Sequence, residues 1–589
     1  MRLLGSSLLL AAIAVVTTAT KQDQHTINKA FPQCDSPIYC EGPLLKTVQL
    51  AKLYPDSKTF VDKPTSKPLN QVIDAFQAMG DNPSTDTIRN FVDTNFLEEG
   101  TELQPVNLSI KADLPLLDKI DDLTYRGWAS QIHQYWSNLT FKFDLNQLCD
   151  GCVSSILPVK RPFVVPGGRF REFYYWDSYF VIRGLLVSEL HNEAKDMLLN
   201  FLDFVEEYGF IPNGARIYFL NRSQPPLLVE MIKAYYEATQ DDEFIKQALP
   251  TLDKEYSFWM ANKSIDVNGH TLNQYRVLNN APRPESYWED YTTAQNVTDK
   301  ARLYGNLATG AESGWDYTSR WFRYKDSQDG DYLLRSLNND HIVPVDLNAL
   351  MWNMESTLSK WHTSSRKKKY YKRQAAKRIT AMKEVLWDEE DVAFYDYNMT
   401  SSGLNREFTP ATLYPFWLGA HHRLSKEQMG QVLAQTQHWL EAYPGILTTS
   451  VYNTSQQWDF PNGWPPLQYI ALRAMLNVYD VTKDSSITDM IHALADRYLA
   501  SAFCSWYETG GYVPGILQQM PNQTDVGHMF EKFEVTVIGD AGGGGEYTVQ
   551  AGFGWTNGVA LWIFDTFSSG FSAPDCNDRG DLVFPLSSS

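Results

Sequence analysis

The apolar residues of this chain recur at helical spacing, while strand-like alternation is scarce and short, and that pattern predicts an all-α protein. Over residues 194–207 the side chains of Leu198, Phe201, Leu202 and Val205 fall on one helical face, and Gly209 stops the run. Leu228, Met231, Ile232 and Tyr235 repeat the pattern, and residues 467–479 carry it again. Ser425 reads as an N-cap with Gln428 as its capping-box partner, opening a helix towards Leu440.

The residues between these helices are more informative still. Stretches rich in Gly, Trp, Asp and Pro each end where a helix is predicted to begin. Trp176-Asp177 leads into 179–190, and Gln224-Pro225-Pro226 into 227–238. Trp464-Pro465-Pro466 leads into 467–479, and Gly554-Trp555-Thr556-Asn557 into 558–567. Proline suits the first helical turn because its missing N–H has no partner to lose there. If alternate helices of a closed array point the same way, these loops gather on one rim. That geometry is an α/α toroid with a pocket at one end, preferred here to an open solenoid. A prior of roughly 150 residues per domain would divide the chain about four ways. A ring of helices escapes that prior, so residues 20–575 are read as one domain with an N-terminal arm.

Charge and targeting narrow the function. Net charge is −19, which argues against nucleic acid or an anionic membrane as partner. The one basic run, Arg366 to Arg373, reads as a solvated helix face. Arg2, an apolar stretch from Leu8 to Val16, and Thr17-Thr18-Ala19 describe a secretory leader over residues 1–19. Export permits disulfides among the six cysteines. Cys34 with Cys40, Cys149 with Cys152 and Cys504 with Cys576 is one pairing among the 15 arrangements that six cysteines allow. Glycosylation sequons stand at Asn107, Asn138, Asn262, Asn296, Asn398, Asn453 and Asn522, with another at Asn221. Residues 576–589 form a polar tail without an apolar anchor sequence, so a soluble, secreted protein is expected.

The loops mix aromatics, carboxylates, arginines and amides, with few histidines. Sugars need that mixture: aromatic faces cover pyranose C–H faces, and polar groups satisfy the hydroxyls. Cleaving a glycosidic bond needs two carboxyl groups across it. The candidates are Asp177, Glu285, Glu312, Asp316, Asp459, Glu531, Glu534 and Glu546. Asp316 sits near Trp315, Tyr317 and Trp321, where desolvation would raise its pKa as a general acid requires. Glu531 precedes Lys532, a polar setting that suits a base, although residue type alone allows either acid either role. Gly542 to Gly545 lack the Gly-Lys-Ser/Thr of a phosphate loop. His421-His422 lacks metal-ligand spacing, and no Gly-x-Ser-x-Gly elbow is present.

Two long motifs stand out: Pro166-Gly167-Gly168-Arg169-Phe170-Arg171-Glu172-Phe173-Tyr174-Tyr175-Trp176-Asp177-Ser178-Tyr179 and Gln457-Trp458-Asp459-Phe460-Pro461-Asn462-Gly463-Trp464-Pro465-Pro466. Both resemble signatures of the trehalase family. Asp56-Ser57-Lys58-Thr59-Phe60 and Gly552-Phe553-Gly554-Trp555-Thr556-Asn557 extend the likeness over nearly the whole mature chain, which looks most like soluble, secreted animal enzymes. The resemblance implies an (α/α)6 toroid with a helical N-terminal extension, acting on trehalose with inversion. It implies Asp316 as the acid and Glu531 as the base, with their carboxyls roughly 6.5–9.5 Å apart. It further implies sugar contacts from Arg169, Trp176, Asp177, Asn213, Arg222, Ser223, Gln224, Arg283, Glu285, Gly314 and Glu546, with no metal or organic cofactor. A glycan at Asn221, beside Arg222, would block such a pocket, so Asn221 is expected to be unmodified. Phe533 and Glu534 stand where members commonly have Tyr and Asp or Asn, and Asp540-Ala541 where a longer glycine run is common. Neither departure is expected to abolish activity. An inactive sugar-binding protein on the same scaffold, or a hydrolase of another α-glucoside, are the competing readings; the presence of both acids weighs against the first and the complete motifs against the second.

Overall fold

The structure, a computed structural model, describes residues 34–577 except 328, 422, 423, 568 and 569, together with Leu582 and Phe584. The expected leader and most of the tail lie outside the described residues. The ring helices come in alternating outer and inner pairs. The outer helices are α1 (Leu123–Leu139), α3 (His191–Tyr208), α5 (Asp242–Asn262), α7 (Ser365–Val385), α9 (Ala434–Ala442) and α11 (Ser485–Glu508). The inner ones are α2 (Asp177–Val187), α4 (Leu228–Thr239), α6 (Val345–Trp361), α8 (Tyr414–Leu418), α10 (Pro465–Thr482) and α12 (Gly554–Phe567).

Each inner helix packs on the next, and α12 packs back on α2, so the ring closes as an (α/α)6 toroid. Burial explains who stands inside. In α12 every residue from Gly554 to Phe564 is buried, and α6 is buried on nearly all sides. A helix apolar all round can be stable only when surrounded. On α7, by contrast, Arg366, Lys368, Lys369, Lys372 and Arg373 are exposed, as a solvated face should be. The seam between α2 and α12 depends on two glycines. A β-carbon at Gly558 would lie 2.2 Å from the Phe180 carbonyl oxygen, and one at Gly184 would lie 2.6 Å from the Gly558 Cα.

The N-terminal arm has a separate apolar cluster, in which Leu45, Phe60, Val61, Val72 and Phe91 are buried. It joins the ring through Tyr174, Tyr218, Phe219 and Tyr287, which belong to the same cluster. Among the described residues strands are short. One antiparallel ladder matters for the site, because it pairs Asn462 with Glu534 and Gly463 with Phe533, tying the second long motif to the segment carrying Glu531.

Several helix boundaries shift from their sequence positions. The helices expected at 179, 467 and 558 begin at Asp177, Pro465 and Gly554, because the motif residues themselves form the first turns. Gly209, with φ of 82°, ends α3 in the left-handed conformation that suits glycine. Ser425 and Gln428 do form a capping box, but the helix towards Leu440 is broken into Lys426–Met429 and Ala434–Ala442. Gly430 closes the first piece, its N–H turning back to the carbonyls of Lys426 and Glu427. The disulfides are Cys34–Cys40, Cys149–Cys152 and Cys504–Cys576. Among the described residues no helix is long and apolar enough to cross a membrane.

The glycine seam makes a direct prediction. Gly558→Ala forces α2 and α12 apart and is expected to destabilise the protein by about 1–3 kcal/mol. Urea unfolding of the variant against the parent measures this, and an unchanged midpoint would mean the seam tolerates the methyl group.

Candidate active site

The inner helices α2, α4, α10 and α12 all start at one rim, where Trp176, Asp177, Gln224, Trp464 and Trp555 line a common cavity. The empty space among its lining side chains, counting what opens to solvent at the rim, is about 700 Å³. Trp464 stacks on Trp458 at 3.9 Å between centroids, and Trp458 in turn lies 5.6 Å from Trp315 and 5.7 Å from Trp176. This indole stack gives one wall the flat apolar surface that a sugar ring covers.

Three arginines line the same cavity, and each is tethered by a carboxylate. Arg169 donates from Nε and Nη2 to the two oxygens of Asp56, at 2.6 and 2.7 Å. Arg222 donates to Glu285 Oε1 and, at 3.1 Å, to Asn221 Oδ1. Arg283 grips Asp290 through Nε and Nη2 at 2.9 and 2.7 Å, and reaches Glu546 Oε1 at 2.9 Å. Two-pronged guanidinium–carboxylate pairs fix direction as well as charge. The remaining N–H groups of each arginine are those available to a ligand.

Asp316 hangs from the end of the helix Lys300–Ser313. Gly314 caps that helix with φ of 75°, and a β-carbon there would come 3.0 Å from the Trp176 ring. Asp316 itself has φ of 26°, a left-handed value that costs a non-glycine residue strain and is held only where surroundings enforce it. Asp459 supplies the enforcement: its carboxylate accepts from Ser319 N and Oγ, Thr318 Oγ1 and Ser450 Oγ at 2.6–3.0 Å. The Asp316 side chain is half-buried, and desolvation pushes its carboxyl up to about 6 against the opposing pull of Arg283, Arg222 and a hydrogen bond from Gln457. Gln457 Nε2 donates to Asp316 Oδ2 at 3.0 Å.

Glu531 comes from a later segment of the chain, its position set by the ladder at Phe533–Glu534 and by the Trp555 indole donating to its carbonyl at 2.9 Å. Lys532 Nζ and Gln550 N donate to its Oε1 at 2.9 and 3.1 Å, while Oε2 is met by Tyr547 OH at 3.4 Å. Two further carboxyls share the cavity. Burial pushes Asp177 up to about 8, with the Asp316 and Glu531 charges adding to the shift. Glu546 is pushed up to about 7 by burial, against the pull of Arg283.

Of the residues singled out from sequence, Arg169, Trp176, Asp177, Asn213, Arg222, Gln224, Arg283, Glu285, Gly314, Asp316, Glu531 and Glu546 all line this cavity. Ser223 does not: its hydroxyl donates to the Ile211 carbonyl at 2.6 Å and its N–H to Glu312 at 3.0 Å. Glu312 is wholly buried against Lys263, at 2.6 and 2.8 Å, and so belongs to the framework beside Asp459. Glu534 also lies outside the lining and accepts from the Thr536 hydroxyl. The cavity adds Lys58, Phe170, Tyr174, Trp458, Trp464, Tyr547 and Trp555. The three tryptophans were within reach of sequence, lying inside the quoted motifs; Tyr547 follows Glu546 with nothing to mark it.

A closed α/α ring whose rim pocket sets buried carboxyls among tethered arginines and stacked indoles defines a glycoside hydrolase of the toroid class. Residues 52–568 match the family described as Trehalase, and the chain belongs to that family. A trehalase of Dictyostelium discoideum is 40% identical over 568 residues, spanning 92% of both chains. The trehalase of Homo sapiens is 38% identical over 550 residues, spanning 91% of this chain and 90% of its own. That of Bombyx mori is 36% identical over 564 residues and 93% of both chains. A neutral trehalase of Saccharomyces cerevisiae shares the fold with a TM-score of 0.52 at 24% identity, covering 68% of this chain and 73% of that one.

The Arg222–Glu285 pair can be tested through stability, since its side chains are only 1% and 9% exposed. Arg222→Met leaves a buried carboxylate without its partner, which costs about 3–5 kcal/mol. Adding Glu285→Gln is expected to return much of that loss in urea unfolding. If the double variant is no better than the single, the pair is not the source of the effect.

Proposed function

We propose that this chain is an inverting α,α-trehalase, with Asp316 as general acid and Glu531 as general base. The observation that carries the reading is one cavity holding both carboxyls, with Asp316 pushed up to about 6 and Glu531 bonded to Lys532. A carboxyl that keeps its proton near neutral pH can protonate a leaving oxygen, as general acid catalysis demands.

In this mechanism Asp316 gives its proton to the oxygen bridging the two glucose units. As that C–O bond breaks, Glu531 takes a proton from a water that attacks the same anomeric carbon from the opposite face. One glucose leaves with its α configuration and the other is released as β. Arg169, Arg222 and Arg283, with Asp177, Glu285, Gln224, Asn213 and Glu546, hydrogen-bond the hydroxyls, while Trp176 and the indole stack cover ring faces. Water must be excluded for these contacts to act strongly, and the burial of lining side chains such as Arg222, Arg283, Glu285 and Glu531 favours that.

The protein is also proposed to be exported and glycosylated. The leader-like residues 1–19 and the disulfides support export. Asn107, Asn138, Asn296, Asn453 and Asn522 are exposed, as glycan acceptors must be. Asn221 is only partly exposed, with its side-chain oxygen engaged by Arg222, which fits its being unmodified.

Proton NMR of purified protein with trehalose is the primary test. Equal initial α- and β-glucose is expected; α-glucose alone would mean retention and would remove Glu531 from its role as base. Asp316→Ala and Glu531→Ala are each expected to lower kcat by several orders of magnitude while trehalose still binds. The pH dependence follows from the acid's need for its proton: kcat/KM should fall as pH rises through about 6, where Asp316 titrates. Gln457→Leu removes a bond that favours the charged form, so it should move that limb to higher pH. A limb that stays put, or moves lower, would separate the pH dependence from Asp316.

A further inference from the structure

The N-terminal arm touches the cavity through one short segment, and that segment braces more than one wall. Asp56 takes both prongs of Arg169. Its own carboxylate is fixed by the chain that follows, because Lys58 N donates to Asp56 Oδ1 at 2.9 Å and Thr59 N to the Asp56 carbonyl at 3.2 Å. Ser57 Oγ donates to Glu289 Oε2 at 2.7 Å and accepts from Trp288 N at 3.1 Å. Gln49 Nε2 bridges the carbonyls of Ser57 and Pro284, each at 2.9 Å, which anchors the turn carrying Arg283 and Glu285. Lys58 lines the cavity and pairs with Glu172 at 2.7 Å.

Arg169 has no other carboxylate partner among its ion pairs of the described residues. Its remaining anchors are soft: the guanidinium lies over the Tyr547 ring at 4.6 Å and the Phe170 ring at 5.2 Å. Stacking holds a guanidinium in a plane but leaves it free to rotate within that plane, whereas two parallel N–H···O bonds remove the rotation. Asp56 is thus the contact that decides which N–H groups of Arg169 face the cavity.

We propose that Asp56 is a positioning residue for sugar binding, holding the Arg169 guanidinium in one orientation on the cavity wall, and that the arm thereby completes the site. The proposal rests on the glycosidase reading above. It carries an electrostatic corollary. Asp316 is faced by Arg169, Arg222 and Arg283, and by Asp177, Glu546 and Tyr547. The Arg169 charge pulls Asp316 down, and Asp56 offsets that charge. Removing the Asp56 charge therefore favours ionised Asp316, so the alkaline limb of kcat/KM moves to lower pH.

The test compares Asp56→Asn with Asp56→Glu in the full chain, following kcat, KM, the alkaline limb and the unfolding midpoint. Asp56→Asn is expected to raise KM on the order of 10–100-fold, the scale of a small misplacement of a binding group, and to shift the limb to lower pH. Asp56→Glu keeps the charge, so its limb should stay at the parent position while KM is still raised. Calorimetric titration of trehalose into Asp316→Asn, with and without Asp56→Asn, should show the same loss in Kd. A normal KM and Kd in Asp56→Asn would overturn the proposal. So would a lowered unfolding midpoint with an unshifted limb, which marks a purely structural role. If Asp56→Asn does not fold, Asp56→Glu decides: a raised KM with an unshifted limb supports positioning, and a parent-like KM refutes it. Failure of the underlying reading looks different, because Asp316→Asn alone would then retain turnover.

Discussion

Three guanidinium groups and five carboxyls share one desolvated cavity, and the way their charges are paired governs everything around it. Arg169, Arg222 and Arg283 are held by Asp56, Glu285 and Asp290, none of which is one of the two proposed reacting acids. Asp316 and Glu531 are consequently left with softer partners, a glutamine amide and a lysine with a backbone N–H. An arginine bonded directly to Asp316 would hold it ionised and spoil it as an acid. The tethering carboxylates therefore do two things at once: they neutralise the arginines and keep them from the acid.

The ring supplies the positions for this pairing. Inner helices that begin at a common rim bring Trp176-Asp177, Gln224, Trp464 and Trp555 together from distant parts of the chain. Their N-terminal ends carry partial positive charge, which suits a pocket rich in carboxyls. Framework acids such as Asp459 and Glu312 act behind that surface: Asp459 binds three donor groups of the loop that holds Asp316 at φ of 26°, and ties them to Ser450. The Asp316 loop is thus strained locally and restrained by a buried carboxylate that lies outside the cavity lining.

Much of this was legible in the sequence because the site is built where periodic helices meet irregular motifs. The helical faces around Leu198 and Met231, the proline-led starts of α4 and α10, and the cluster of Trp with acids all have local causes. Asp316 and Glu531 were readable through resemblance, and the burial that raises Asp316 was anticipated from its aromatic neighbours. What escaped depends on long-range contacts. Asp56 and Arg169 are 113 positions apart, and nothing in either segment states that they meet. Asp459 and Glu312 read as candidate catalysts because residue type does not reveal whether a carboxylate points into a cavity or away from it. Ser223 sits between cavity residues Arg222 and Gln224, yet its hydroxyl turns back to Ile211. The helix after Ser425 is interrupted by a turn over residues 430–433, which a valid capping signal at its start does not foretell.

The seam between α2 and α12 has a consequence for biosynthesis. Ring closure joins the helix at Asp177–Val187 to one that begins only at Gly554, so hundreds of residues separate the two sides of the join. Glu531, Glu546 and Trp555 all lie beyond the early helix pairs in the chain. A nascent chain can fold its arm and early helix pairs in sequence, but its pocket lacks Glu531 and the Trp555 wall until those segments have been made. The pocket is therefore completed only with α12, and a polypeptide released before α12 is made carries an open ring and an unfinished cavity.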